Sequence, residues 1–239
     1  MGKQTGGRVP SAAEVPPIPV LLETTGLRVY SPSDPTGAPL VQVPSLALAL
    51  GERVALTGPS GSGKSSVLRG LVRLNPIRAA AYTVLGLNGL TLPARKLRRL
   101  VCLVPQVPTA LAGDALENCR SALGFGGPVP TDWAARAEGA LHEVGLPTEH
   151  WRKPALDLSV GQRMRLALAR ALVIGPRILL LDEPFSPLDR DARGHMEELL
   201  RRWVAEGERG IIAGLHHAEG LDGWRALPLP RTGDQPMPP

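Results

Sequence analysis

One stretch of this sequence has the residue types and spacing needed to bind a phosphorylated ligand. Gly58-Pro59-Ser60-Gly61-Ser62-Gly63-Lys64-Ser65 matches the pattern G-x-x-x-x-G-K-[ST], and Ser66 continues it into a helical stretch. In such a loop the backbone N–H groups turn toward an anion, Lys64 reaches the β- and γ-phosphates, and the Ser65 hydroxyl coordinates Mg²⁺. The sequence therefore predicts a nucleotide-phosphate site rather than an ordinary Gly/Ser turn with a surface lysine.

Two carboxylate residues follow the apolar run Ile178-Leu179-Leu180-Leu181. Asp182 at the end of this predicted strand can hold Mg²⁺ beside Ser65. Glu183, one residue further on, can orient or deprotonate a water that attacks the γ-phosphate. Gln106 also follows a predicted strand, and its neutral amide can contact both Mg²⁺ and that water. These residues predict phosphoryl-transfer chemistry.

The elements around these residues predict an α/β fold. Apolar strands alternate with helical stretches, and the polar residues of interest come just after strand ends, where an open parallel sheet places its ligands. Alternating apolar residues in 27–30 and 40–50 predict antiparallel strands ahead of the loop. We expect a flexible tail over residues 1–19, one domain over 20–227 with a helical subdomain at about 107–157, and a Pro-rich tail over 228–239.

Composition narrows the class of protein. The chain has 239 residues, a formal net charge of +5, and only four lysines among its 27 basic residues. The basic residues are scattered apart from the run 95–99, which we interpret as a solvated helix face, so no direct nucleic-acid partner is expected. Cys102 and Cys119 form no disulfide or metal pattern, which fits a reducing compartment. No apolar stretch is long enough to span a bilayer, and no signal peptide is recognisable.

A third motif makes a family resemblance specific. Leu158-Ser159-Val160-Gly161-Gln162, with the helical stretch after it, resembles the signature motif of the ATP-binding cassette (ABC) ATPases, usually L-S-G-G-Q. The other motifs of that family are then matched in order by this sequence. They are the Walker A loop (58–65), the Q-loop (Gln106), the Walker B strand (178–183), the D-loop (186–189), the switch histidine (His216) and an aromatic that stacks on adenine (Tyr30).

The resemblance implies a P-loop NTPase fold with a RecA-like parallel core, an N-terminal antiparallel β subdomain and an inserted α-helical subdomain. It also implies two cassettes packed head to tail around two ATP molecules with Mg²⁺. Each ATP would be held by the Walker A loop of one copy and by Ser159, Gly161 and Gln162 of the other. Glu183 would be the general base, and His216 would hold the γ-phosphate.

Two further roles come from the resemblance. Asp189 would communicate across the dimer, and Gln106 would couple the nucleotide state to a partner domain at the helical subdomain.

Two positions depart from the family pattern. Val160 replaces a glycine, and a β-branched residue resists positive φ and crowds a nearby phosphate. Because Gly161 is retained, we expect the signature to work, but more weakly. His217 replaces an acidic residue after the switch histidine.

By this resemblance the chain is an importer-like ATP-binding subunit. We expect it to hydrolyse ATP, to pair with a second cassette (itself or a paralogue), and to power a separate membrane permease from the cytoplasmic face of the cell membrane. An exporter or lipoprotein-release subunit remains open, as do a soluble ABC ATPase acting on ribosomes or DNA and a weakly hydrolysing regulator. The transported substrate does not follow from the sequence, because specificity in this family lies in the permease.

Overall fold

The computed structural model describes residues 19–125, 127–215 and 222–229. Most of both predicted tails lies outside these ranges, as do His216 and His217. In chain order the elements are β1 Val20–Val29, β2 Val41–Ala49, β3 Arg53–Thr57, α1 Lys64–Leu71, β4 Ile77–Arg78, β5 Ala81–Val84, β6 Leu87–Asn88, α2 Ala94–Leu100, β7 Val101–Val104, α3 Ala115–Gly124, α4 Trp133–Glu143, α5 Val160–Leu172, β8 Ile178–Asp182, α6 Arg190–Ala205, β9 Gly210–Leu215 and β10 Arg225–Pro228.

A parallel sheet forms the centre of the fold, with strand order β10-β3-β9-β8-β7. The predicted strand β8 is buried along its whole length, because Leu179 and Leu181 face one hydrophobic cluster while Ile178 and Leu180 face another. A continuous apolar run is what a strand covered on both faces requires. The sheet therefore separates two cores and brings the ends of β3, β7 and β8 to one edge.

An antiparallel sheet covers one face of the parallel sheet. Its order is β2-β1-β5-β6, with β4 also paired to β1. The buried positions of β1 and β2 include Leu22, Leu27 and Val43, and they belong to the same core as α1 and the even positions of β8. The predicted antiparallel strands are confirmed, and the short strands β4 to β6, which follow α1, complete this sheet.

Helices α3, α4 and α5 pack together on the other face of the parallel sheet. Asp114 and Glu117 form a capping box at the start of α3, in which each side chain accepts a hydrogen bond from the other residue's backbone N–H. Ala137, Ala140 and Leu141 are the buried face of α4, as the helical spacing predicts.

Strand β10 has no clear signal in the sequence. It pairs in parallel with β3 at the edge of the sheet, where a proline such as Pro228 is tolerated because one side of the strand makes no ladder bonds. The Leu229 N–H donates to the Thr57 carbonyl oxygen at 2.7 Å, and Leu229 is buried. Leu229, two residues beyond the predicted domain end at 227, is therefore packed beside β3.

Candidate nucleotide-binding site

The loop between β3 and α1 has a backbone that needs glycine. Gly58, Gly61 and Gly63 all have positive φ, and at Gly63 a Cβ atom would also lie 2.7 Å from the Cβ of Val41. Gly58 is equally restricted, since a Cβ there would lie 2.8 Å from the Leu229 carbonyl oxygen. Sequence reasoning assigned these glycines to the phosphate loop. The structure adds that Gly63 is packed against β2 and Gly58 against the residue that follows β10.

Lys64, the first residue of α1, points its ammonium group into this loop. Its Nζ donates to the carbonyl oxygens of Gly58 at 2.7 Å and Pro59 at 3.1 Å, and only 5% of the residue is exposed. A helix N-terminus carries a partial positive charge of its own. The loop therefore combines an ammonium group, glycine backbone and the start of a helix, which together suit a phosphate.

Ser65 and Asp182 meet across the loop although they are far apart in the sequence. The Ser65 Oγ donates to Asp182 Oδ1 at 2.9 Å. Burial of Asp182 raises the pKa of its carboxyl, the neighbouring Glu183 charge raises it further, and the Ser65 hydrogen bond opposes both. The predicted pairing of these two residues is thus present in the structure.

The donor set at this position fits Mg²⁺. A hydroxyl, a carboxylate and the amide oxygen of Gln106 are hard oxygen ligands, and Mg²⁺ is commonly held by one or two carboxylates together with phosphates and water. Among the described residues no cluster of three or more His, Cys, Asp and Glu side chains forms a metal site. Where Mg²⁺ binds in this way, the phosphate oxygens of a nucleotide supply the remaining ligands together with water.

Glu183 has an unusual backbone conformation, with φ of 49°. Its N–H donates to the Gly214 carbonyl oxygen at 3.0 Å, and its Oε2 accepts from Gln106 Nε2 at 2.8 Å. A left-handed conformation in a residue other than glycine persists only where its surroundings impose it, and such residues concentrate at functional sites. The predicted base and the predicted Q-loop glutamine are therefore in direct contact.

Sequence reasoning missed Gly214, which stands inside the buried strand β9. A Cβ at this position would lie 3.3 Å from the Cβ of Lys64 and 3.4 Å from Asp182 Oδ1. The missing side chain lets β9 approach the phosphate loop, and its carbonyl oxygen anchors Glu183. A glycine within an otherwise apolar strand signals close approach by neighbouring groups and could have indicated this contact.

The predicted signature residues form the start of α5. The Ser159 Oγ accepts from the Gln162 N–H at 3.2 Å, while the Gln162 Oε1 accepts from the Ser159 N–H at 2.9 Å. Val160 is the first helical residue, half exposed, and it is not among the described residues with positive φ. The expected backbone conflict at Val160 therefore does not arise, and what remains is an apolar side chain beside the cap.

Gly161 and the D-loop lie against each other within one chain. A Cβ on Gly161 would be 3.1 Å from the Pro187 carbonyl oxygen and 3.6 Å from Leu188 Cδ2. Asp189 at the end of the D-loop is the N-cap of α6, where its Oδ1 accepts from the Ala192 N–H at 2.8 Å. The two segments predicted to act across a dimer are thus joined in the monomer.

Tyr30 and His216 are the remaining residues that the sequence predicts for this site. Tyr30 is buried, at 3% exposure, and the Arg78 guanidinium carbon lies 4.8 Å from the centre of its ring. A purine would have to displace Arg78 to stack on that face, so adenine stacking stays a prediction. His216 lies outside the described residues.

No helix within the described ranges combines the length and apolar character that a membrane crossing requires. Comparisons with known proteins give independent evidence on the family to which the chain is similar. The family model described as ABC transporter matches residues 41–186.

Curated relatives include ATP-binding proteins of several transport systems. The chain is 38% identical over 208 residues to the Fe(3+) ions import ATP-binding protein FbpC of Pseudomonas fluorescens, covering 82% of this chain and 56% of that one. It is 33% identical over 204 residues to the lipoprotein-releasing system ATP-binding protein LolD of Chromohalobacter salexigens, covering 82% and 85%. Protein STAR1 of Oryza sativa is 36% identical over 170 residues, covering 71% and 49%. The chain thus spans about half the length of STAR1 and FbpC and most of LolD.

Solved structures share the fold. A dimeric ATP-binding cassette in a post-hydrolysis state, bound to ADP and Pi, superposes with a TM-score of 0.75 at 25% identity, covering 89% of this chain and 95% of that one. The ATP-binding subunit of an ABC transporter superposes with a TM-score of 0.76 at 23% identity, covering 89% and 87%. The second likeness concerns the fold alone.

Proposed function

Because this chain belongs to the ABC transporter ATP-binding family, we propose that it hydrolyses ATP and passes the resulting conformational change to a membrane permease. The observation that carries the proposal is the contact network at the strand ends. Ser65 bonds Asp182, and Gln106 bonds Glu183, so the predicted metal ligands and the predicted base are adjacent. A phosphate loop alone would support only nucleotide binding.

The proposed reaction uses these groups in fixed roles. Lys64 exchanges its contacts with loop carbonyl oxygens for contacts with phosphate oxygens. Ser65 and Asp182 would hold Mg²⁺, which neutralises charge on the β- and γ-phosphates when bound. Glu183 accepts a proton from the attacking water as the water oxygen bonds to the γ-phosphorus. The bond between that phosphorus and the oxygen bridging to the β-phosphate breaks, which leaves ADP and inorganic phosphate.

We further propose that the signature of a second copy or paralogue completes each site. In α5 the Gln162 N–H is taken by the Ser159 side chain and the Arg163 N–H by the Ser159 carbonyl. The N–H groups of Val160 and Gly161 lie in the first turn of α5, where the helix provides no carbonyl acceptor for them. They can therefore donate hydrogen bonds to the γ-phosphate of an ATP held by another cassette. The dimeric cassette structure supports this arrangement by similarity.

The proposed permease contact lies beside Gln106. A groove of about 710 Å³ is lined by residues that include Pro105, Thr109 and Leu111, and its rim carries Leu74 and Phe125, which are 51% and 46% exposed. Exposed apolar side chains around a groove suit a partner protein. Attachment to a permease there would place the chain at the cytoplasmic face of the cell membrane. The names of FbpC and LolD leave import and lipoprotein release both open.

Replacing Glu183 tests the catalytic part of the proposal. In Glu183→Gln we expect phosphate release to fall by a factor of about 10²–10⁴, the range for loss of a general base. ATP should then accumulate on a dimer seen by size-exclusion chromatography with light scattering. Glu138→Gln, an exposed site on α4, is the matched control and should keep full activity.

Two results would contradict the proposal. The first is full turnover in Glu183→Gln, which would remove the base from the mechanism. The second is co-sedimentation of the chain with ribosomes, without association with a polytopic membrane protein, which would select the soluble ATPase instead.

A further inference from the structure

The segment that carries Gln106 has no regular secondary structure of its own. Residues 105–114 connect β7 to α3 without forming a helix or a strand, yet the Gln106 amide lies 2.8 Å from Glu183. An irregular segment keeps a side chain at a fixed distance only if other elements hold its backbone. The contacts of this segment, called here the 105–114 segment, therefore decide where Gln106 lies.

Besides the capping box at Asp114, side chains of two different helices hold the backbone of the 105–114 segment. Asn118 of α3, fully buried, donates to the Leu111 carbonyl oxygen at 3.1 Å and accepts from the Leu111 N–H at 2.8 Å. Arg170 of α5 donates from its guanidinium to the Thr109 carbonyl oxygen at 2.6 Å. The Asn118 contact belongs to α3, the next helix along the chain, whereas the Arg170 contact comes from a distant part of the sequence. Thr109 is only three residues from Gln106.

Helix α5 is the same helix that begins with the signature residues. Arg170 lies eleven residues after Ser159, which is about 16 Å along an α-helix. A helix this short transmits a tilt without bending much, so a displacement of its N-terminus reaches the Thr109 carbonyl. Helix α5 thus carries the signature at its start and a contact with the 105–114 segment near its end.

The charge of Arg170 has no carboxylate partner among the ion pairs of the described residues. Burial lowers the pKa of this guanidinium, which means that its surroundings disfavour the charge. Arg170 also lines the groove beside the 105–114 segment. The Arg170 guanidinium is therefore partly buried at a cost in desolvation, and it donates to the Thr109 carbonyl oxygen. This contact can fix the position of the 105–114 segment.

We propose that Arg170 is a positioning residue for the proposed ATPase reaction. By holding the Thr109 carbonyl it keeps the 105–114 segment where Gln106 can reach Glu183, and it makes that placement depend on the position of the signature helix α5. A signature engaged by a second cassette then acts on the catalytic glutamate of its own chain. The catalytic consequence of this inference rests on the proposed function, whereas the hydrogen bond between Arg170 and the Thr109 carbonyl does not.

The test compares Arg170→Gln with Arg165→Gln. Arg165 lies on the same helix and also donates to a backbone carbonyl, that of Gly145, but on the side of α4. Hydrogen exchange of the backbone amides in 105–114 should become about tenfold faster in Arg170→Gln and stay unchanged in Arg165→Gln. Arg170→Lys, which keeps the cation but loses the planar fork, should give an intermediate rate and serves if Arg170→Gln does not fold.

A kinetic cycle tests the consequence. Arg170→Gln should lower kcat about tenfold at unchanged KM for ATP, and it should lower kcat no further in the Gln106→Ala background, because both changes act through one group. Unchanged exchange in 105–114, or additive losses in the double variant, would overturn the inference. If the wild-type chain has no ATPase activity but exchange responds as stated, the proposed function fails while the positioning contact stands.

Discussion

The contact between the signature and the D-loop makes Gly161→Ala an informative substitution. Alanine in place of glycine within a helix gains about 1 kcal/mol of helix stability. At Gly161, however, the new Cβ would lie 3.1 Å from the Pro187 carbonyl oxygen, which is shorter than an ordinary contact. The D-loop cannot yield easily, because the Ser186 N–H bonds the Glu183 carbonyl and the Leu188 N–H bonds the Phe185 carbonyl.

The magnitude follows from these opposing effects. Overpacking a closed site costs about 1–3 kcal/mol, which offsets the gain in helix stability. The free energy of unfolding of Gly161→Ala should therefore change by between about 0 and −2 kcal/mol relative to the wild type. Gly194→Ala is the matched control, since Gly194 is exposed on α6 and a Cβ there would meet nothing within 4 Å. That variant should gain up to about 1 kcal/mol, which is a rise in Tm of about 2–4 °C for a domain of this size.

The assay is thermal unfolding together with phosphate release at saturating ATP. Gly161→Ala should unfold at or below the wild-type Tm and should hydrolyse ATP at least about tenfold more slowly, because the D-loop and the signature shift together. Gly194→Ala should be stabilised and fully active. If Gly161→Ala is as stable as Gly194→Ala and retains full turnover, the contact does not constrain the D-loop and the reasoning is wrong.

Three further predictions concern titrating groups. Burial raises the pKa of the Asp182 carboxyl, so its ionised form is disfavoured. Asp182→Asn should raise the free energy of unfolding at pH 8 without ligand, in chemical denaturation, and should abolish the rise in Tm that Mg²⁺ with ATP gives the wild type. Burial of Glu52 raises its pKa, but hydrogen bonds from the Arg225 side chain and from the backbone outweigh this and hold it below the ordinary value. Its stabilisation is therefore present at neutral pH and lost on acidification, so the drop in unfolding free energy caused by Glu52→Gln, measured by chemical denaturation, should be largest at neutral pH and should shrink as the pH is lowered. Burial raises the pKa of both Cys102 and Cys119 to about 12, so Ellman's reagent should label neither thiol at pH 8 until denaturant unfolds the chain; rapid native labelling of either would contradict their burial.

Much of the fold followed from local sequence because its signals are local. The apolar run before Asp182 indicates a strand buried on both faces, and the spacing in α4 and α6 indicates helices with one buried side. Strand β10 did not follow, because four residues with a proline carry little pattern and their pairing with β3 is a tertiary contact. The backbone of Val160 did not follow either, because a residue in the first turn of a helix has negative φ and the sequence did not fix where α5 begins. Its effect on the signature stays a prediction.

By itself the sequence determined which chemistry could be proposed for this protein. Phosphate binding, metal ligation and a general base are predicted from residue types at fixed spacing, so Lys64, Asp182 and Glu183 could be selected as candidates without coordinates. Only the tertiary structure decided which of these groups touch, because contacts such as Gln106 with Glu183, Gly214 with Glu183 and Arg170 with Thr109 join residues 31 to 77 positions apart. Packing sets such distances, since a side chain reaches a partner only after the strands and helices that carry both have been brought together.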